Sequence, residues 1–130
     1  MNSNYIAAAI NESYQTKPKV LYPGLIALKK DVFTEKGKKK CVSIGRLTPD
    51  KHFDSLINKF DYVSKIIPQI SLKICGYATD PNYLNYLKNL AVEKSCNIII
   101  KPNLNDDELE KILSESTFYI HSKPYEHFGI

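Results

Sequence analysis

From residue 40 onward the apolar positions alternate between two periods. Lys40-Cys41-Val42-Ser43-Ile44-Gly45 reads as a strand that ends in a glycine turn. Phe53, Leu56, Ile57, Phe60, Val63 and Ile67 then recur at helical spacing, which predicts a helix over 53–67 stopped by Pro68. Ile70 to Gly76 reads as a second strand. Asp80 caps a second helix with Pro81 in its first turn, and its buried stripe is Tyr83, Leu84, Leu87, Leu90 and Ala91. Asn97 to Ile100 is a short β-branched third strand. Asn105-Asp106-Asp107-Glu108 opens a third helix that runs to about Glu115, and Thr117 to His121 is the fourth strand. Strands separated by helices of about ten to fifteen residues imply a parallel sheet with right-handed crossovers. The fold class expected is α/β, a doubly wound parallel sheet.

The first forty residues are patterned differently. Asn4 to Tyr14 reads as a helix, and Lys19-Val20-Leu21-Tyr22 before Pro23-Gly24 as a short strand and turn. The sequence shows no internal repeat, and no low-complexity tract beyond a lysine-rich loop around Gly37.

Composition narrows the classes. At 130 residues and 43% hydrophobic content, the chain suits one domain with an ordinary core. No apolar run approaches the ~20 residues that span a bilayer, and Met1 to Tyr5 lacks the basic and apolar regions of a secretory signal. Asn11-Glu12-Ser13 is therefore only a formal glycosylation sequon. Cys41, Cys75 and Cys96 have neither Cys-x-x-Cys spacing nor a histidine nearby, so they read as reduced, largely buried thiols of a cytoplasmic protein.

A net charge of +4 is too mild to require nucleic acid as a partner. The excess gathers at Lys29, Lys30, Lys36, Lys38, Lys39 and Lys40 around Gly37. A solvated loop between two strands accounts for it best, and peripheral attraction to an anionic membrane surface or a phosphate-bearing substrate is the alternative. Without aromatics among the lysines, a nucleic-acid groove is not indicated.

The candidate chemistry starts at Gly45-Arg46-Leu47-Thr48-Pro49-Asp50-Lys51. The first strand ends there and the next helix is expected to begin near Asp50. Two cations beside a helix amino terminus make a receptor for a diphosphate, because backbone amides, the helix dipole and charge-assisted hydrogen bonds all favour the anion. A surface Arg and Lys flanking a capped helix is the plainer alternative. The turns Gly76-Tyr77 and Pro102-Asn103 point to the same edge of the sheet. His52, His121 and His127 read as structural or peripheral. Asp106-Asp107-Glu108 is explained by capping and the helix dipole rather than by a metal. No Gly-x-Gly-x-x-Gly occurs, which removes the main fingerprint of a dinucleotide oxidoreductase. A receiver-like signalling domain would need acids at the ends of the early strands, and here the first ends in Gly-Arg.

The segment Glu126-His127-Phe128-Gly129, following the fourth strand, joins Gly45-Arg46-Leu47 and Lys51 in a pattern that resembles the donor-binding half of family 4 retaining glycosyltransferases of the GT-B fold. Ser3-Asn4-Tyr5 and Val20-Leu21-Tyr22-Pro23-Gly24 resemble the passage between the two domains of those enzymes. The resemblance implies a linker remnant over residues 1–17 and an incomplete donor-binding domain over 18–130. In the family, Glu-x-Phe-Gly opens a Glu, seven residues, Glu signature, whose second Glu would fall just past residue 130.

By the same resemblance Arg46 and Lys51 hold the pyrophosphate of a UDP-, GDP- or ADP-linked sugar and stabilise it as it leaves. Glu126 accepts hydrogen bonds from the donor sugar, with the amides around Phe128 and Gly129 supporting sugar or phosphate. Gly45 belongs to the phosphate turn, and Gly76, Tyr77, Pro102 and Asn103 line the nucleobase pocket. His52 stands where the family very often has glycine. Neither cofactor nor metal is implied, and the absence of Asp-x-Asp argues against the metal-dependent GT-A class. The acceptor, a glycan or lipid-linked molecule, would be held by an amino-terminal domain, so the fragment alone is expected to be inactive. A non-catalytic phosphate- or nucleotide-binding regulatory module remains the rival reading.

Overall fold

A computed structural model of the chain describes residues 3–21, 39–94 and 96–124. They divide between two compact units, one with residues 3–21 and 124, the other with residues 39–94 and 96–123.

The first unit carries helix α1, Asn4–Tyr14, with the bounds its pattern predicts. Ser3 caps it, its hydroxyl accepting from the Ile6 N–H at 3.3 Å, and Gln15 ends it in the left-handed region at φ 56°. No residue of α1 is buried. Lys19 to Leu21 form no strand, contrary to expectation, because an apolar run this short needs a neighbouring strand to pair with. Tyr22, Pro23, Gly24 and the lysines from Lys29 to Lys38 lie outside the described residues.

The second unit is a Rossmann-like α/β layer structure. Strands β1 (Lys40–Ile44), β2 (Ser71–Gly76), β3 (Asn97–Pro102) and β4 (Phe118–Tyr119) form a parallel sheet in the order β3-β2-β1-β4. Helices α2 (Phe53–Ile66), α3 (Pro81–Glu93) and α4 (Asp106–Ser114) make the crossovers. Register assigns the faces. Cys41 pairs with Leu72 and Ser43 with Ile74, and Cys41, Leu72 and Ile74 pack with Phe53, Leu56, Ile57 and Phe60 of α2 and Leu87 of α3. Val42 and Cys75 face the other way, onto Ile112 of α4. β1 and β2 are thus covered on both faces and read as nearly continuous buried runs for that reason, whereas β3 and β4 at the edges are more exposed.

Local signals act as the residue types dictate. Asp80 caps α3, accepting from the Asn82 N–H at 2.8 Å, and Leu87 and Ala91 form its buried line with Tyr83, Leu84 and Leu90 packed partly against the core. Asn105 and Glu108 form a reciprocal capping box at α4, at 2.9 and 3.0 Å, which accounts for the acids there. Lys73, the charged residue of β2, meets Glu115 at 3.5 Å, and Lys40 approaches the same carboxylate at 3.8 Å. Cys41 and Cys75 are buried free thiols, and burial raises the pKa of both; Cys96 is a free thiol at intermediate exposure.

The fourth strand, expected over Thr117 to His121, is only Phe118–Tyr119, and two further boundaries differ from expectation. β3 runs on through Pro102, which pairs with Gly76, so Pro102 closes the strand rather than starting the turn. A proline fits there because, among the described residues, β3 pairs with β2 alone, and Pro102 is its last residue. The helix expected from Asp50 starts at Phe53 instead, after a separate 3₁₀ turn over Pro49–Lys51. Among the described residues, no helix is long and apolar enough to cross a membrane.

Candidate functional site at the carboxyl ends of the strands

The strand order decides where a ligand fits. The chain moves outward from β1 through β2 to β3, then returns through α4 to place β4 on the other side of β1. In such sheets the crevice outside the carboxyl ends, where the order reverses, is the binding position. Gly45, Arg46 and Lys51 follow β1 at that point, and the residues after β4 approach it from the other side.

The loop after β1 is anchored on both sides of Arg46. The Gly45 N–H donates to the Cys75 carbonyl at 3.1 Å, and the Leu47 N–H to the Tyr77 carbonyl at 2.8 Å. Leu47 is fully buried, so it pins the loop while Arg46 stays exposed. Lys51, at the end of the 3₁₀ turn, folds its stem back beside Gly45: a β-carbon there would stand 3.8 Å from Lys51 Cδ. Arg46 and Lys51 are therefore brought to one end of the sheet, next to the first turn of α2. The N-cap of α2 has no side-chain hydrogen bond to its amides.

That N-cap is His52, in the left-handed region at φ 55°. This conformation separates the 3₁₀ turn from α2 and is why glycine suits the position; a β-carbon there costs about 1–2 kcal/mol. Glycine recovers that strain but gives up roughly 0.5–1 kcal/mol of chain entropy. His52→Gly is accordingly expected to stabilise the fold by up to about 1 kcal/mol, read as a rise in Tm by thermal denaturation. A lower Tm would show that the imidazole makes a compensating contact.

Residues not singled out from sequence complete the cradle. Ser122 Oγ donates to the Lys51 carbonyl at 2.6 Å, tying the segment after β4 to the 3₁₀ turn. Lys123 Nζ lies 3.3 Å from Asp50 Oδ2. Asp50 also accepts from the Thr48 hydroxyl at 2.6 Å. That hydrogen bond, with Lys123 and Arg46 nearby, holds the Asp50 carboxyl below its ordinary range. The Asp50 carboxylate thus offsets part of the positive charge that Arg46, Lys51 and Lys123 assemble. A Ser-Lys pair after a strand is too common a signal to have marked these residues beforehand.

The other predicted positions line the same rim. Gly76 ends β2 against Gly45, Tyr77 is exposed, and the Asn103 N–H donates to the Gly76 carbonyl at 2.9 Å. Glu126, Phe128, Gly129 and His127 lie outside the described residues. His121 is exposed and borders a separate apolar groove of about 280 Å³ between α2 and the segment after β4. Its walls are chiefly apolar, Leu56, Phe60, Val63, Ile70 and Ile120, with Lys59 and Ser55 among the polar residues that also line it.

Comparison with known proteins bears on this arrangement. The family model described as glycosyl transferases group 1 matches residues 26–130. No curated protein matches the chain. Among solved structures, the catalytic domain of the cholesterol-α-glucosyltransferase from Helicobacter pylori superposes with a TM-score of 0.52 and 26% identity, covering 69% of this chain and 54% of that one. The pneumococcal O-GlcNAc transferase GtfA, solved in complex with UDP and GlcNAc, gives a TM-score of 0.65 at 20% identity, over 92% of this chain and 24% of that one. At that identity the second likeness speaks for the fold alone. The chain spans about half the length of the first relative and about a quarter of the second.

Proposed function

The chain belongs to the group 1 glycosyl transferases, and we propose that it forms the donor-binding half of a retaining, family 4 enzyme of the GT-B type. The observation that carries this reading is the placing of Arg46 and Lys51 together at the topological switch point, on a loop hydrogen-bonded to β2 and to the segment after β4. Its ligand is a nucleotide-diphospho-sugar.

In this reading the two cations bind the diphosphate and stabilise the charge that develops as the glycosidic bond to phosphate breaks, without a metal. Preorganisation favours that role, because the loop is held by its own backbone and need not reorganise as charge appears. Lys123 adds a third cation to the neighbourhood. Glu126 orients the sugar through its hydroxyls, and the turns after β2 and β3 face the nucleobase. The acceptor, a glycan or lipid-linked molecule, is held by a further domain. Buried free thiols fit a reducing, cytoplasmic setting.

An ¹⁵N–¹H NMR titration with UDP, GDP, ADP and inorganic phosphate tests the reading. Base-selective shifts concentrated at Gly45 to Lys51 and at Tyr77 and Asn103 are expected. Equal shifts with phosphate alone would replace it with a generic anion-binding module, and no response from a folded sample would remove it.

A further inference from the structure

The backbone ladder of the sheet does not stop where the strands stop. It continues across the carboxyl-end loops as two nested brackets. Arg46 is the centre of the inner one: the amides on either side of it, at Gly45 and Leu47, donate to the carbonyls of Cys75 and Tyr77 at 3.1 and 2.8 Å. Where Arg46 stands is therefore set by where Tyr77 stands. Tyr77 is the centre of the outer bracket, and both of its arms belong to one residue. The Asn103 N–H donates to the Gly76 carbonyl at 2.9 Å, and the Asn103 side-chain oxygen accepts from the Ala78 N–H at 2.9 Å.

Asn103 can reach both sides of Tyr77 because of its own backbone. It sits at φ 55°, the left-handed region. Most residues avoid that conformation, whereas asparagine is among the few that visit it, since its short polar side chain can bond locally. Here the side chain bonds across to another loop, 25 positions back along the chain. Glycine would adopt the same backbone more easily and would supply the N–H arm, but not the acceptor. The side chain is thus the one part of Asn103 that the backbone conformation does not itself explain.

We infer that Asn103 is a positioning residue of the donor site: it fixes Tyr77, and through the Tyr77 carbonyl it fixes the backbone that carries Arg46. This rests on the donor-binding reading above and gives Asn103 a different task from lining the base pocket. Its side-chain oxygen is committed to Ala78 and acts on the ligand through Arg46. The phosphate end of the site is in this way coupled to the third strand, at the far side of the sheet from β4.

The test uses Asn103→Gly, which keeps the left-handed backbone and its N–H, and Asn103→Asp, which keeps an acceptor oxygen. Amide hydrogen exchange is followed by NMR in the full chain, together with UDP affinity and Tm. In Asn103→Gly the Ala78 amide loses its partner directly. The Leu47 amide, which does not touch Asn103, is expected to exchange about fivefold faster, and UDP to bind about fivefold more weakly, the effect of one neutral hydrogen bond. Asn103→Asp is expected to restore protection at both amides.

If Leu47 protection and UDP affinity are unchanged in Asn103→Gly, the inference is overturned while the donor site stands. The same holds if Asn103→Asp protects no better than Asn103→Gly. A fall in Tm with no change in UDP affinity would reduce Asn103 to a purely structural residue. Should the unaltered chain bind no nucleotide at all, the donor-binding reading fails, and this assignment fails with it.

Discussion

Replacing Arg46 and Lys51 together by alanine is expected to weaken binding of a nucleoside diphosphate by more than about 100-fold. Charge-assisted hydrogen bonds contribute roughly 1.5–3 kcal/mol each, and about 2.7 kcal/mol is already a factor of 100. The double variant removes both such partners and leaves Lys123 opposed by the Asp50 carboxylate, so the net positive charge is lost. Asp50 would still hold its carboxylate at the site, paired only with Thr48 and Lys123. The first turn of α2 would be left as the main attraction, and a helix terminus alone contributes only about 0.3–1 kcal/mol when exposed.

The fold should survive this change. Arg46 is exposed, while the buried neighbour that pins its loop is Leu47, which is untouched. Tm is therefore expected to move by only a few degrees, and isothermal titration with UDP separates lost binding from lost folding. Each single variant should fall about tenfold or more. Because the two cations share one ligand, their losses need not sum to that of the pair. Binding by the double variant within about threefold of the parent would place the diphosphate elsewhere. Raised salt should weaken the parent more than the double variant, since screening acts on the charges that were removed.

How much of this was readable beforehand depends on what each feature is made of. The doubly wound sheet was legible because it rests on apolar period: α1 and the start of α3 fall where spacing, caps and prolines put them, and α2 carries the apolar stripe its spacing predicts. The separate 3₁₀ turn before α2 was not, since it depends on a positive φ at His52, and histidine does not announce that conformation as glycine does. Asn103 carried a better signal, a residue tolerant of the left-handed region just after a strand, but its Ala78 partner is set by tertiary placement. Arg46 and Lys51 stood out by residue type beside a strand end, but spacing left a plain surface pair equally open, and only the family resemblance favoured a phosphate role. Ser122 and Lys123 did not stand out, because what gives them meaning is the arrival of β4 beside β1, a contact that spans 71 positions in the Ser122–Lys51 hydrogen bond. At Lys19 to Leu21 a short apolar run was not enough by itself to make a strand.

Gly76 shows how far residue type can mislead about cause. A glycine at a strand end reads as a turn residue, yet Gly76 pairs with Pro102 as the last residue of β2. Its lack of a side chain matters because of proximity. A β-carbon on Gly76 would be driven into the carbonyl oxygen of Gly45, with that carbonyl carbon only 2.7 Å away. Backbone, not a flexible side chain, would have to yield, and the backbone in question leads directly into Arg46. Gly76→Ala is expected to cost about 3 kcal/mol or more, at or beyond the upper end of ordinary overpacking. In a domain of this size that lowers Tm by about 10 °C or more.

Gly45→Ala provides the comparison that isolates the cause. Its added carbon would meet the Phe53 ring at 3.3 Å and the Lys51 stem at 3.8 Å, side-chain atoms that can shift by a few tenths of an ångström. That change should cost about 1 kcal/mol. Chemical denaturation of the two variants side by side reads the difference, and UDP titration of whatever Gly76→Ala remains folded reads the consequence for the site. Weakened UDP binding is expected there, because relief of the clash displaces the Gly45 carbonyl and with it the loop that presents Arg46. Equal destabilisation by the two alanines would show that the β1 loop yields as easily as a side chain, and that the close approach of Gly45 and Gly76 is not what holds Arg46 in place.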